Sequence, residues 1–352
     1  LPYASDINTV AEKREVGAPL SSLTAFFIYD SFLRMKILIT GGAGFIGSHL
    51  GDELISRGEK VTVIDEFNDF YDPKLKRENI APHLSNPSYT LVEGDIRDTD
   101  RVLALFEESK FDAVVHLAAR AGVRPSILEP LLYEQVNCVG TLNLLEASRK
   151  TGVKNFVFAS SSSVYGINSK VPFSEGDPIT CPISPYATTK RAGELMCYTY
   201  SHLYKLPATC LRFFTVYGER GRPDMAVAKF TRLIHDGKPI QVYGDGSAQR
   251  DFTYVGDIKE GLLKAIYTPS RYEIVNLGGA NTIELRRLIE LIEGALGKKA
   301  AIEYLPPVPG DVPITYADAA KAKELLGFKA AVRIDEGVER YVKWFLERER
   351  RK

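Results

Sequence analysis

Tyr186 and Lys190 stand four positions apart, and among the eighteen tyrosines of the chain only Tyr186 has a lysine at that spacing. Residues at i and i+4 lie on one face of a helix, so the phenol and the ammonium would be neighbours. A nearby ammonium favours the phenolate and lowers the tyrosine pKa from about 10 toward neutrality. The pair therefore predicts a general base that takes a proton from an alcohol while hydride leaves the same carbon.

A run of small hydroxyl residues, ASSSSVYG at 159–166, ends a predicted strand. Such hydroxyls can hydrogen-bond to an alcohol oxygen that is becoming a ketone. A serine-rich turn without chemical function is the alternative interpretation of this run.

The glycine loop GGAGFIG directly follows one predicted strand and opens the next helix. Gly41, Gly44 and Gly47 allow a tight turn and a close approach of backbone N–H groups to a pyrophosphate, and the helix N-terminus adds a partial positive charge. Asp65 ends the second strand, 18 residues after Gly47, where an acid can bind the hydroxyls of an adenosine ribose. With Glu66 beside it, Asp65 should repel a 2′-phosphate, so NAD is favoured over NADP.

Two further strand ends complete the predicted dinucleotide crevice. GDIRD follows the third strand and HLAAR the fourth, which places an acid near the adenine and a smooth apolar wall beside the cofactor. His116 is predicted as a core histidine rather than a catalytic one. The predicted cofactor-binding residues at these strand ends and in the glycine loop are Gly41, Gly44, Phe45, Ile46, Gly47, Asp65, Asp95, Ile96, Leu117, Ala118 and Ala119.

Apolar strands alternate with helices over the first two thirds of the chain, which predicts a parallel sheet covered on both faces. The fold class is therefore α/β, a Rossmann-type doubly wound parallel sheet with a smaller α/β C-terminal substrate domain. The predicted strands are MKILIT, KVTVID, YTLVEGD, DAVVHLA, NFVFAS and ATCLRFF, and the long helices include residues 133–150 and PYATTKRAGELMCYTYSHLY.

The domain boundaries follow from where this alternation stops. We predict the NAD-binding domain over residues 35–213, with a return segment at about 248–278 that includes the strand-like YEIVNLG. The substrate domain takes residues 214–247 and 279–348, where loops rich in Gly and Pro separate shorter elements. Residues 1–34 are predicted to be an N-terminal extension outside the fold. The cleft between the two domains is the predicted active site.

Composition excludes several other classes of function. Forty-five basic residues balance forty-five acidic ones among 352, so no global charge draws the chain to nucleic acid or an anionic membrane. The four cysteines form no CxxC pair and, with five scattered histidines, suggest no metal site. They are predicted to be reduced thiols of a cytoplasmic protein. No apolar run approaches the roughly 18 residues that span a bilayer.

Three motifs in order, the glycine loop, SSSSVYG and PYATTKRAGE, resemble the extended short-chain dehydrogenase/reductase superfamily, in its nucleotide-sugar branch, the NAD-dependent epimerase/dehydratase family. The resemblance implies that Ser161, four residues before Tyr165, is catalytic together with Tyr186 and Lys190. It also implies that Tyr186 and Lys190 contact the cofactor, because the family's lysine binds the nicotinamide ribose.

The residues after the catalytic serine narrow the activity within this family. Family dehydratases carry Asp-Glu where this chain has Ser162 and Ser163, and the related decarboxylases carry Glu at the second position. Hydride chemistry without added carboxylates is typical of an epimerase. NAD would oxidise C4 of the sugar, the 4-keto intermediate would turn over in the site, and hydride would return to its other face.

The substrate-binding residues are also inferred from the resemblance. Arg250 in RDFTYV matches the arginine that holds the nucleotide diphosphate, and Asp311 matches an acid near the nucleotide. FFTVYG…GRPDM and AGVRPS are similar to UDP-glucuronate 4-epimerases, in which Thr215 and Arg222 would recognise the sugar carboxylate. Arg220 is predicted to be a solvated loop residue. The remaining predicted substrate-binding residues are Arg124, Ser162 and Ser163.

The resemblance leaves alternatives and implies a partner. A UDP-glucose/UDP-galactose 4-epimerase is the first alternative, followed by a nucleotide-sugar decarboxylase or dehydratase and a non-catalytic dinucleotide sensor. The family pairs its long helices in a four-helix bundle, so a homodimer is expected through residues 133–150 and 186–204. The expected small-molecule partner is a UDP-sugar.

Overall fold

The computed structural model describes residues 34–168, 170–306 and 312–351. Its strands in chain order are β1 (Lys36–Thr40), β2 (Lys60–Asp65), β3 (Tyr89–Glu93), β4 (Ala113–His116), β5 (Asn155–Ser161), β6 (Ala208–Phe213), β7 (Thr215–Tyr217), β8 (Ile240–Tyr243), β9 (Gln249–Tyr254), β10 (Tyr272–Leu277), β11 (Thr282–Glu284) and β12 (Ile302–Leu305). Its α-helices are α1 (Phe45–Ser56), α2 (Pro73–Ile80), α3 (Thr99–Ser109), α4 (Val123–Leu128), α5 (Pro130–Glu134), α6 (Gly140–Thr151), α7 (Pro185–Tyr204), α8 (Ala226–His235), α9 (Val255–Tyr267), α10 (Leu285–Leu296), α11 (Ala320–Leu326) and α12 (Ile334–Arg350).

The main sheet has seven parallel strands in the order β10-β6-β5-β4-β1-β2-β3. The order reverses at β1, which places the carboxyl ends of β1 and β4 beside a crevice where ligands bind in such sheets. The predicted Rossmann-type fold class is confirmed. The segment YEIVNLG does return to this sheet, as its edge strand β10.

Side chains of the central strands pack on both faces of this sheet. Ile37 and Ile39 of β1 join one apolar cluster and Leu38 joins the other, because successive side chains of a strand point to opposite faces. All three are fully buried. A parallel sheet with both faces covered therefore holds the strand ends rigidly in place.

The helix α7 begins where its sequence directs it to begin. Ser184 caps it by accepting a hydrogen bond from the backbone N–H of Ala187 at 3.1 Å, and Pro185 occupies the first helical position. The helix ends at Tyr204, and Lys205 caps it in a left-handed conformation. This start places Tyr186 in the first turn and Lys190 in the second.

Smaller sheets follow the main one. β7, β9 and β11 form a three-stranded sheet, and β8 pairs with β12 in parallel. Residues 35–352 group into one compact unit, and the predicted domain division near residue 214 stays a prediction. The proposed extension of residues 1–34 falls outside the described residues, except Arg34. The described part of the chain has no helix with the length and apolarity that a bilayer crossing needs.

Candidate active site

The glycine loop at the carboxyl end of β1 packs so tightly against neighbouring backbone that it has no space for side chains at Gly41 and Gly47. Gly41 adopts a left-handed backbone with φ of 66°, and a Cβ there would lie 2.9 Å from the backbone N of Ala118. A Cβ at Gly47 would lie 2.6 Å from the carbonyl oxygen of Gly41. A side chain at either position would collide with neighbouring backbone and force the loop away from the N-terminus of α1. The cradle therefore fits the pyrophosphate of a dinucleotide.

A cleft of about 350 Å³ opens beside this loop. A volume of this order is typical of small-molecule and cofactor sites. The cleft brings together every residue predicted to contact the cofactor: Gly41, Gly44, Phe45, Ile46, Gly47, Asp65, Asp95, Ile96, Leu117, Ala118, Ala119, Tyr186 and Lys190.

The acid at the end of β2 has a partner that the sequence did not reveal. Asp65 is buried, and its Oδ1 accepts hydrogen bonds from Lys76 Nζ at 2.9 Å and from the backbone N–H of Phe67 at 3.0 Å. Lys76 also lines the cleft. Since the ammonium offsets the charge of Asp65, a 2′-phosphate would meet less repulsion than Asp65 and Glu66 alone suggest.

The strand ends after β3 and β4 form another wall of the cleft. Asp95 accepts hydrogen bonds from the Arg97 side chain, with Nε at 2.8 Å. Burial alone would raise the pKa of Asp95, but these bonds outweigh it and lower the pKa. His116 lies in the core between Thr40 and Thr141, and burial lowers its pKa to about 3. This agrees with its assignment as a core histidine.

The three predicted catalytic side chains meet in the same cleft. Ser161 ends β5, and its hydroxyl accepts a hydrogen bond from the backbone N–H of Ser163 at 3.1 Å. Tyr186 is half-buried, whereas Lys190 is 4% exposed and donates to the carbonyl oxygen of Ala159 at 2.7 Å. The arrangement brings a phenol, a hydroxyl and an ammonium together, and the catalytic roles of these residues remain predictions.

The electrostatics around Tyr186 differ from the sequence expectation. Burial raises the pKa of Tyr186, while the Ser161 hydroxyl and the Arg222 guanidinium act to lower it. Burial also lowers the pKa of Lys190 to about 8. The expected lowering of the Tyr186 pKa toward neutrality was therefore wrong for this structure, because burial outweighs the groups around the ring.

A π-helical turn, Gln135–Val139, interrupts the predicted helix of residues 133–150 and carries a buried amide. Asn137 accepts from the backbone N–H of Arg120 at 2.8 Å and donates to its carbonyl oxygen at 3.0 Å. It also donates to Thr189 Oγ1 at 3.0 Å, next to Lys190. Asn137 thus ties the cleft loop after β4 to α7, a contact that no local sequence pattern indicates.

The residues predicted to bind the sugar line the same cleft. Ser162, Ser163, Thr215 and Arg222 are among its walls, together with Tyr186. The Arg222 side chain is 18% exposed and forms a fork with Asp224, with Nε to Oδ1 at 3.0 Å and Nη2 to Oδ2 at 2.6 Å. A cation is therefore held close to the phenol, where an anionic part of a substrate would find it.

A smaller cavity of about 160 Å³ shares Ser162, Ser163 and Thr215 with the cleft. Arg124 and Arg250 both line it. The Arg124 guanidinium lies 4.3 Å from the ring centre of Tyr243, and Arg250 donates to the carbonyl oxygen of Gln249 at 2.8 Å. Two guanidinium groups make this cavity suitable for a diphosphate. Asp311, the other predicted nucleotide contact, lies outside the described residues.

Arg220 is not the solvated loop residue that the sequence suggested. Its side chain is 23% exposed and its Nη1 lies 2.8 Å from Oδ2 of Asp52 on α1. Asp52 also accepts a hydrogen bond from His83 Nε2 at 2.7 Å. The partners are 168 positions apart along the chain, so sequence spacing gave no sign of the contact.

Comparison with known proteins agrees with this geometry. Residues 37–278 match the family described as NAD dependent epimerase/dehydratase. The chain belongs to this family, and the family prediction made from the three motifs is confirmed.

Relatives and solved structures narrow the resemblance. The UDP-glucuronate 4-epimerase of Thermodesulfobacterium geofontis is 44% identical over 311 residues, covering 88% of this chain and 96% of that protein. UDP-glucuronic acid 4-epimerase from Bacillus cereus, solved with UDP-glucuronic acid and NAD, has a TM-score of 0.84 at 37% identity and covers 89% of this chain and 99% of its own. UDP-glucose 4-epimerase from Thermotoga maritima, solved with UDP-glucose, has a TM-score of 0.83 at 36% identity. The match covers 90% of this chain and 100% of that chain.

Proposed function

We propose that this protein interconverts UDP-glucuronate and UDP-galacturonate by NAD-dependent epimerisation at C4 of the sugar. The relatives named above bear out the enzyme class, a UDP-sugar 4-epimerase, and the cofactor NAD. The observation that carries the choice of a uronate is Arg222, a guanidinium that lies in the same cleft as Ser161 and Tyr186.

The side chains divide the work of oxidising an alcohol. Bound NAD supplies the acceptor for hydride from C4 and the hydride that returns to its other face. Tyr186 takes the proton of the C4 hydroxyl and later gives it back, while Ser161 hydrogen-bonds to the same oxygen as it becomes a carbonyl. Lys190, with a pKa of about 8, carries a positive charge at neutral pH and would donate a hydrogen bond to a cofactor ribose, while the Ser161 hydroxyl and the Arg222 guanidinium favour the phenolate of Tyr186.

The carboxylate at C6 requires a cation and a restraint. Oxidation at C4 makes a β-keto acid, in which the C5–C6 bond can break, its electron pair entering the carbonyl as an enolate while CO2 leaves and C5 takes a proton. Hydride return would then give a UDP-pentose. A guanidinium fork from Arg222, with the hydroxyl of Thr215, would hold the carboxylate out of alignment for that loss. Ser163 stands where a decarboxylase of this family has Glu.

Product analysis by proton NMR tests the proposal directly. The purified protein is incubated with UDP-glucuronate and, in parallel, with UDP-glucose. UDP-galacturonate formed from the first, with little turnover of the second, is the expected result. UDP-galactose from the second and no product from the first would overturn the uronate assignment, and a UDP-pentose as main product would overturn the epimerase assignment.

The specific alternative is a UDP-glucose 4-epimerase, which the similarity to the Thermotoga maritima enzyme favours. That substrate has a neutral hydroxymethyl group at C6. It would leave the N–H groups of Arg222 that Asp224 does not take without a carboxylate acceptor in a partly buried site, at an appreciable cost in binding. The ratio of the two kcat/KM values therefore decides between the alternatives.

A homodimer in the cytoplasm completes the proposal. The surfaces of α5, the π-helical turn, α6 and α7 expose large apolar side chains, a composition that pairing of two copies would bury. Light scattering after size exclusion should give twice the chain mass, and a monomer at enzyme concentrations used in assays would refute the pairing. The exposed side chains are Leu131, Val139, Leu142, Leu195, Tyr198, Leu203 and Tyr204.

A further inference from the structure

Three contacts hold Arg222 in place, and one of them comes from Asp224 in the same exposed loop. Asp224 occupies Nε and Nη2, the ring centre of Phe70 lies 5.1 Å from the guanidinium carbon, and the backbone N–H of Met225 donates to the Arg222 carbonyl at 3.1 Å. The last bond closes a tight turn in which Pro223 fixes one backbone angle. The turn keeps Asp224 two residues from Arg222 in sequence and opposite its guanidinium.

The fork leaves a defined edge of the guanidinium for a ligand. Arginine carries five N–H groups, and Asp224 takes the one on Nε and one on Nη2. Among the described residues no hydrogen bond is made by Nη1 of Arg222. The edge formed by Nη1 and the second N–H of Nη2 can still receive both oxygens of a carboxylate.

We propose that Asp224 is a positioning residue that fixes Arg222 for the sugar carboxylate and thereby determines selectivity for a uronate. The inference rests on the proposed function. A guanidinium on a flexible stem gains specificity when a second carboxylate and an aromatic face restrict its rotation. The alternative is that Asp224 only competes with the substrate carboxylate for Arg222. In that case removing the Asp224 charge should strengthen uronate binding.

Asp224→Asn separates the two effects, because asparagine keeps the size of the side chain and loses its charge. Loss of one charge-assisted contact to Arg222 should lower kcat/KM for UDP-glucuronate about tenfold, mainly through KM. The kcat/KM for UDP-glucose should change less than about twofold, since its C6 group carries no charge to place. UDP-pentose should rise as a fraction of product.

The chain offers a matched control. Arg333 and Asp335 form the same two-residue fork, with both contacts at 3.1 Å, but Arg333 is 81% exposed and the pair lies outside the cleft. Asp335→Asn should leave both kcat/KM values unchanged. Thermal melting of each variant, with its bound NAD measured, shows whether the fold and the cofactor site are intact.

The outcomes are distinct. A fall in KM for UDP-glucuronate in Asp224→Asn, or an unchanged ratio of the two kcat/KM values, overturns the positioning role. If Asp224→Asn melts early, Asp224→Glu is measured instead, and it should restore part of the selectivity because it retains the charge. A parent enzyme that epimerises UDP-glucose and ignores UDP-glucuronate overturns the proposed function itself, whatever the variant does.

Discussion

Replacing Glu194 by glutamine should destabilise the fold and alter catalysis through Lys190. Glu194 is fully buried on α7, one helical turn beyond Lys190, and accepts hydrogen bonds from Arg212 Nε and Nη2 at 2.8 and 2.9 Å. It also accepts from Ser160 at 2.6 Å and from Arg191 at 2.9 Å. Glu194 therefore links α7 to β5, beside Ser161, and to β6.

The expected loss in the free energy of unfolding depends on Arg212, which keeps its charge when Glu194 is replaced. Arg212 is 1% exposed, so Glu194→Gln leaves a buried guanidinium facing a neutral amide. Breaking a buried ion pair by removing one charge costs about 3–5 kcal/mol in the free energy of unfolding. The negative charge of Glu194 also raises the pKa of Lys190, which burial holds at about 8. Without that charge the pKa of Lys190 falls further, and its protonated form is lost at lower pH.

Two measurements check this prediction. Urea unfolding followed by fluorescence of Trp344 should show the loss in the free energy of unfolding, and the alkaline limb of the kcat profile should move to lower pH. Glu284→Gln, which alters a pair with Arg286 whose arginine is 60% exposed, is the control and should change little. The double variant Glu194→Leu with Arg212→Met should recover part of the stability, because no charge is left buried.

A small loss would refute the reasoning. If Glu194→Gln unfolds within about 1 kcal/mol of the parent, Arg212 must find water or another acceptor, and the cost of an unpaired buried charge does not apply here. If stability falls but the alkaline limb stays in place, Glu194 supports the fold without influencing the charge of Lys190.

Three further substitutions test the site. Gly47→Ala should abolish dinucleotide binding, because the new Cβ would lie 2.6 Å from the Gly41 carbonyl oxygen. The amount of NAD released when the purified protein is denatured measures this binding. An unchanged NAD content would contradict the assignment of the glycine loop as the pyrophosphate site. Tyr186→Phe should slow epimerisation about 10²- to 10⁴-fold without loss of bound NAD, and initial rates together with the NAD content measure both effects. Substantial residual activity would exclude Tyr186 as the general base. Asp52→Asn should raise KM for UDP-glucuronate by loosening the Arg220 loop, and an unchanged KM in initial-rate assays would make that ion pair incidental.

The parts of the site predictable from sequence were those with local patterns. The spacing of residues within one strand, one turn or one helix determines where the glycine loop, Asp65 and the Tyr186–Lys190 pair lie. All of them line the cleft, as expected. Lys76 and Asn137 were missed because their partners lie on other elements. The role of Arg220 was misjudged for the same reason. The direction of the Tyr186 pKa shift was also misjudged, because burial is a property of the folded chain and cannot be read from a local pattern.

The loop of residues 218–225 shows how a tertiary contact completes a local motif. Glu219 accepts a hydrogen bond from His49 Nε2 to its carbonyl oxygen at 2.9 Å, and burial lowers the pKa of His49, so a neutral imidazole donates there. Tyr254 donates to the Glu219 carboxylate at 2.7 Å. Arg220, with φ of 59°, reaches Asp52 on the same helix as His49. The helix that begins at the glycine loop therefore also anchors the loop that carries Arg222, and the glycine loop and Arg222 are held by one rigid element.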